Sequence, residues 1–215
     1  RGETTAIIGS TGSGKSTIAR LILRFHDVSQ GRILLKDRDL CSLSQKDLRQ
    51  QLSYVPQKAW LFSGTIKENL AQGKENAEKE EMFHALETAQ AEFVKKLPQG
   101  LETRVAQGGT NFSGGQKQRI CIARALMKKS DLYIFDDSFS ALDFKTDKAL
   151  RDALKEELKE AAVLIIAQRI STILHASQIV VLDEGEIVGV GTHEYLMENC
   201  TVYRDIARSQ MKGGE

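Results

Sequence analysis

The sequence has no surplus of charge of either sign: 30 Lys and Arg stand against 29 Asp and Glu, a formal net charge of +1. A protein that grips nucleic acid through a basic face carries a clear cationic excess, so that class of partner is set aside. Long apolar runs are missing as well. The longest, Ala161 to Ala167, is seven residues, against the roughly 18–20 that a membrane-crossing helix needs. Cysteine is scarce: Cys41, Cys121 and Cys200 lie far apart, without metal-ligand spacing. They read as reduced thiols packed as small apolar residues. His26, His84, His175 and His193 are equally scattered and read as surface or packing residues rather than metal ligands. No signal-peptide pattern opens the chain, which starts at Arg1 rather than Met. The expectation is a soluble domain cut from a longer protein. Internal repeats and low-complexity segments are also lacking.

What is present suits one domain, or one domain with a large insertion. The chain has 215 residues, 41% hydrophobic and 27% charged, enough to bury a core. Thr4-Thr5-Ala6-Ile7-Ile8 is a short β-rich run that ends at Gly9. Ile18, Leu21, Ile22 and Phe25 then recur at helical spacing, which predicts an inward-facing stripe. Arg32–Leu35 reads as a strand, Asp47–Leu52 as a short helix, and Ser53–Val55 as a strand stopped by Pro56. From Lys58 to Arg124 the composition turns helical, with a helix predicted over Glu75 to Lys96. Strands return at Leu132–Phe135, Ala162–Ile166 and Ile179–Leu182, and a helix over Thr146–Glu160 lies between the first two. Strands alternating with helices predict an α/β domain with a largely parallel sheet. The tail Met211 to Glu215 is expected to be loose.

Three motifs carry chemistry. Gly9-Ser10-Thr11-Gly12-Ser13-Gly14-Lys15-Ser16 fits G-x-x-x-x-G-K-[ST], between a predicted strand and a predicted helix that opens near Thr17. Glycines let successive backbone N–H groups converge on phosphate oxygens, and the helix that follows presents its positive end. Lys15 would neutralise the β- and γ-phosphates, and the Ser16 hydroxyl would bind Mg²⁺. Second, the apolar run from Leu132 delivers Asp136 and Asp137 to the C-terminal edge of the sheet, where α/β folds bind ligands. Asp136 would hold Mg²⁺ through water. Third, Ser113-Gly114-Gly115-Gln116 opens a helix and offers a second anion site. By itself that triplet of small residues is equally an ordinary helix cap.

Together these motifs resemble the nucleotide-binding domain of an ABC transporter, over nearly the whole chain. Gly9–Ser16 looks like its Walker A motif, Leu132–Asp136 like its Walker B, Phe112–Gln116 like its signature motif and Ser140-Ala141-Leu142-Asp143 like its D-loop. Gln57, after Tyr54-Val55-Pro56, is similar to the Q-loop glutamine that touches Mg²⁺ and couples to the membrane domains. Trp60–Leu70 and Gly189–Leu196 resemble the exporter branch. The resemblance implies a P-loop NTPase (RecA-like) core, residues 1–57 and 125–215, with an inserted helical subdomain at 58–124. It also implies Mg²⁺ and ATP, a second nucleotide-binding domain, and transmembrane domains at the cytoplasmic face of a membrane. In that family two such domains sandwich two ATP molecules, each between one Walker A and the other domain's signature.

The chain departs from the family pattern at clustered positions. The family's water-activating glutamate is here Asp137, one methylene shorter, which sets its carboxylate roughly 1–1.5 Å back. A displacement of that size can cost about 10²-fold in rate. The histidine that contacts the γ-phosphate is here Gln168, which hydrogen-bonds but carries no imidazolium charge. Gln107 stands where exporters usually carry glutamate, and Phe112 where leucine is commoner. This pattern resembles the degenerate half of a heterodimeric exporter, with an intact signature that serves the partner's ATP; a homodimer that tolerates both changes is the alternative. The adenine-stacking aromatic belongs upstream of Walker A, yet only eight residues precede Gly9 and none is aromatic. The fragment is therefore expected to begin inside the domain, without its N-terminal strands. Two other classes compete: a nucleotide-gated regulatory module that does not hydrolyse, and a soluble ABC ATPase acting on DNA or ribosomes. The charge balance and the Trp60–Leu70 stretch oppose the second.

Overall fold

Short apolar runs become buried strands here, and the polar segments between them become helices. The computed structural model describes residues 1–212. In chain order the main elements are β1 (Thr4–Gly9), α1 (Lys15–Ile22), β2 (Leu34–Leu35), β3 (Arg38–Asp39), α2 (Gln45–Gln51) and β4 (Leu52–Val55). They continue as β5 (Gly64–Thr65), α3 (Ile66–Ala71), α4 (Lys79–Thr88), β6 (Arg104–Val105), α5 (Gly114–Leu126), β7 (Leu132–Asp136) and α6 (Phe144–Glu157). The last are β8 (Ala162–Ile166), α7 (Ile170–Ile173), β9 (Gln178–Asp183), β10 (Glu186–Gly191), α8 (His193–Asn199) and α9 (Thr201–Lys212).

Six strands form one sheet in the order β10-β9-β1-β8-β7-β4. β1 runs parallel to both β8 and β9, and β7 runs parallel to β8; β10 is antiparallel to β9. The expected α/β fold with a largely parallel sheet is what forms. The middle strands are buried on both faces, with Ala6, Ile8, Ile134, Phe135, Ile179 and Val181 fully enclosed, as parallel sheets covered on both sides require.

The chain divides into two compact units. One holds Arg1–Ser53, Ser130–Asp137 and the chain from Glu160 on; the other holds Tyr54–Lys129 and Ser138–Lys159. The second unit takes in the stretch with α6. The physical reason is packing: α6 lies on α4, where His84 Nε2 meets Glu157 Oε2 at 2.8 Å. Within this unit Leu61, Ile66, Leu70, Leu86, Ile120 and Ile122 form the core. Thr65 and Glu68 close a reciprocal cap on α3.

Several local expectations are corrected. The inward stripe of α1 does not extend to Phe25, because the helix stops at Ile22 and Arg24 takes a left-handed φ of 53°; Phe25 is exposed. The helix expected over 75–96 is α4 alone, followed by a 3₁₀ turn at Glu92–Lys96, with Gln90 at φ 57° between them. The strand expected at Arg32–Leu35 is only Leu34–Leu35, paired antiparallel with β3. Of the tail expected to be loose, residues 213–215 lie outside the described residues, and α9 runs to Lys212. Among the described residues no helix is long and apolar enough to cross a membrane.

Candidate functional site

The sheet register sets the site. Ile166 of β8 pairs with Ile7 of β1 on one side and with Asp136 of β7 on the other. The loop after Gly9, the carboxylates at 136 and 137, and the turn that carries Gln168 therefore leave the same C-terminal edge. This edge is where side chains can gather without disturbing the ladder.

The loop after β1 needs its glycines at specific points. A Cβ on Gly9 would lie 2.1 Å from Leu182 O, so only glycine lets β1 and β9 approach there. Gly12 and Gly14 take φ of 85° and 95°, and open space lies where their side chains would stand. This is the shape of a cradle whose backbone N–H groups can turn toward an anion. Lys15, only 8% exposed, curls into it. Its Nζ donates to Gly9 O at 2.9 Å, Ser10 O at 2.6 Å and Ser13 Oγ at 3.4 Å. Burial draws the Lys15 ammonium below its usual range, and the Asp137 and Asp136 carboxylates pull the other way.

Ser16 Oγ donates to Asp136 Oδ1 at 3.0 Å, in a pocket where Asp136 is almost wholly buried. A hydroxyl and a carboxylate side by side are the hard oxygen donors that Mg²⁺ takes. Asp137 is buried next to it and holds an unusual backbone, φ 47°, with its N–H donating to Ile166 O at 2.7 Å. Aspartate visits the left-handed region more readily than most L-residues do. Gln168 is exposed on the turn after β8. Among the predicted residues, Gly9–Thr17, Asp136, Asp137 and Gln168 all belong to the unit built on the sheet.

Gln57 and Ser113–Gln116 belong to the other unit. Gln57 is exposed just past Pro56. Ser113 is the N-cap of α5: its Oγ accepts from Gln116 N at 3.3 Å, and Gln116 Oε1 accepts from Ser113 N at 3.0 Å. The cap uses an acceptor lone pair of the hydroxyl and leaves its proton available to donate. Nothing lies within 4 Å of where a Gly114 side chain would stand, whereas a Cβ on Gly115 would meet Ala141 O at 3.3 Å. So Gly114 leaves the start of the helix bare, and Gly115 admits the Ser140–Asp143 turn.

Sequence reasoning missed Gln210. From α9 its Nε2 donates to Gln168 O at 2.6 Å, and its Oε1 accepts from Ile170 N at 2.8 Å. No motif marks it, because the pairing spans some forty residues and uses main-chain groups.

A largely parallel sheet, a glycine loop closed on a lysine after one strand, and a paired acid at the end of another define a P-loop nucleotide-binding domain. The family model described as ABC transporter matches residues 1–140, and the chain belongs to the ABC transporter family. It is 46% identical over 213 residues to an ABC transporter ATP-binding protein of Mycobacterium tuberculosis, covering 97% of this chain and 36% of that protein. It is 42% identical over 214 residues to the ATP-dependent lipid A-core flippase of Haemophilus influenzae, covering 99% of this chain and 36% of the flippase. The solved structure of a bacterial Atm1-family ABC exporter with ATP bound superposes with a TM-score of 0.94 at 38% identity, covering all of this chain and 38% of that one. The chain thus spans little more than a third of the relatives it matches.

Proposed function

We propose that this chain is the ATP-binding domain of an ABC exporter, whose own Mg-ATP site turns over slowly while its signature completes the site of a second such domain. The observation that carries the proposal lies at one sheet edge: Lys15 in a glycine cradle, Ser16 on Asp136, Asp137 next in the chain, and the turn with Gln168 leaving the same edge. Lys15 would exchange its loop oxygens for phosphate oxygens, and Ser16 and Asp136 would hold the metal that supplies charge neutralisation. Asp137 would orient the attacking water and accept its proton, but from a carboxylate one methylene short. Gln168 would hydrogen-bond the terminal phosphate without adding charge. Slow turnover follows from both changes acting on the same step.

The same proposal assigns 1–57 and 125–215 to the RecA-like core and 58–124 to the helical subdomain. It assigns Gln57 to contact with the metal and the membrane domains. It places the domain on the cytoplasmic face of a membrane, joined to transmembrane domains and paired with a different, catalytically complete partner. The similarity to exporters supports the transport role, and Asp137 with Gln168 supports the unequal pair.

The test separates binding from turnover in the full transporter. Tight Mg-ATP binding at this subunit with hydrolysis at least tenfold below the partner's supports the proposal. Equal turnover at both sites refutes the slow site, and no binding refutes the assignment of the loop.

A further inference from the structure

We propose that Gln210, on the C-terminal helix, is a positioning residue for Gln168: its one amide group holds the backbone on both sides of that turn. The proposal rests on Gln168 acting as a contact to the terminal phosphate.

The turn needs such help. α7 begins at Ile170, and its N-cap Arg169 supplies no side-chain cap. The first N–H groups of any helix lack intrahelical partners. Gln210 fills that role from outside, accepting from Ile170 N at 2.8 Å. Its Nε2 reaches the carbonyl two residues earlier, Gln168 O, at 2.6 Å. The partners fix the amide's orientation, since the reverse would set N–H against N–H and oxygen against oxygen. With Gln168 O and Ile170 N both bound, the turn has little freedom, and the Gln168 side chain is left for other contacts.

The anchor behind Gln210 is firm. Tyr203 and Ala207, one turn apart on α9, are buried at 0% and 1% exposure. Tyr203 Oη meets His193 Nδ1 at 2.8 Å. Gln210, three residues beyond Ala207, is exposed at the border of that face, at the level of the turn. The position of α9 is thereby transmitted to the residue at the terminal phosphate, and whatever displaces the helix would slacken that turn.

The experiment uses the full-length chain in its assembled transporter. The site is loaded with radiolabelled Mg-8-azido-ATP, chased with unlabelled Mg-ATP and irradiated, so that label left on this subunit reports its own retention. Hydrogen exchange at Ile170 is followed in parallel. Gln210→Leu is expected to speed Ile170 exchange several-fold and to speed nucleotide release about two- to tenfold, the range for one modest hydrogen-bonded contact. Gln210→Glu keeps only the acceptor, so it should protect Ile170 yet retain nucleotide no better than Gln210→Leu. Gln168→Ala should release nucleotide faster by itself, and adding Gln210→Leu should make it no worse. Arg208→Ala, exposed on the same helix, is the control.

If Gln168→Ala leaves release unchanged, the role given to Gln168 is wrong, and this proposal falls with it. If Gln168→Ala matters but Gln210→Leu does not, or if the two add, only the positioning role is overturned. Normal retention in Gln210→Glu overturns it too.

Discussion

Ser16 Oγ and Asp136 Oδ1 stand 3.0 Å apart although 120 residues separate them in the chain. One begins a helix and the other ends a strand, and neither element touches the other in sequence. Their meeting follows from sheet order alone, because β8 lies between β1 and β7 and aligns Ile7, Ile166 and Asp136 in one row. That row brings two separate sequence motifs together at one edge of the sheet.

Lys15→Ala should weaken Mg-ATP binding. The ammonium makes charge-assisted contacts, worth about 1.5–3 kcal/mol when lost, or roughly ten- to a hundredfold in affinity. The fold should survive, since Ser10 O, which accepts from Nζ at a part-buried position, can turn to water, and Gly9 O alone loses a buried donor. Calorimetric titration of both forms checks it; equal affinities would remove the loop from the site.

Asp137→Glu should not restore ordinary turnover by itself. The backbone at 137 has φ 47°, which glutamate tolerates less well than aspartate, and Gln168 still lacks an imidazole. Adding Gln168→His to Asp137→Glu should raise turnover more than either change alone. Steady-state ATPase of the four forms in the assembled transporter decides it. Full recovery in the single variant would mean that Gln168 costs nothing.

Gly114→Asp should stop transport while leaving this domain folded. Open space surrounds the position, and a carboxylate in the first turn of α5 suits the helix dipole. The damage would come from like charge against a partner-bound triphosphate. Asp137→Asn should change transport only modestly. The reverse ranking, in ATPase and transport assays of the whole complex, would assign hydrolysis to this subunit's own site.

Tyr203→Phe should flatten the loss of stability in strong base. Burial first, and the nearby Glu194 carboxylate second, push the Tyr203 hydroxyl up to about 12 from an ordinary value near 10. The folded state therefore holds this proton more tightly than the unfolded chain does. The resulting stabilisation is complete below about pH 10 and fades as pH rises to about 12. At neutral pH the variant should be less stable by about 1 kcal/mol, through loss of the bond to His193. By the top of that window the gap should narrow. Urea midpoints that fall in parallel across the window would contradict this.

The parts of the site legible from sequence were those written in consecutive residues. The glycine loop and the run into Asp136, both in the unit built on the sheet, need only their own neighbours, and so does the Ser113 cap in the other unit. β10 was not foreseen: it exposes Ile187, Val188 and Val190, and it forms because Glu184 and Gly185, both at positive φ, turn the chain back along β9. α9 was hidden too, since its apolar face has meaning only once β1 and β9 lie beneath it. Gln210 had no signal at all, because glutamine on a polar helix surface looks the same whether or not a turn waits beside it. The extent of the helical unit depended on α6 packing against α4, a tertiary fact that composition does not encode.

Lys15 already has three oxygen neighbours of its own, so an anion entering the loop must compete with the protein rather than with water. A small monovalent ion such as chloride brings one charge and forfeits those bonds in exchange. A polyphosphate brings several charges at once and reaches the loop's N–H groups as well. Under the proposed role, the self-satisfied lysine would set a threshold that a small anion does not meet and a ligand of dense, extended charge does.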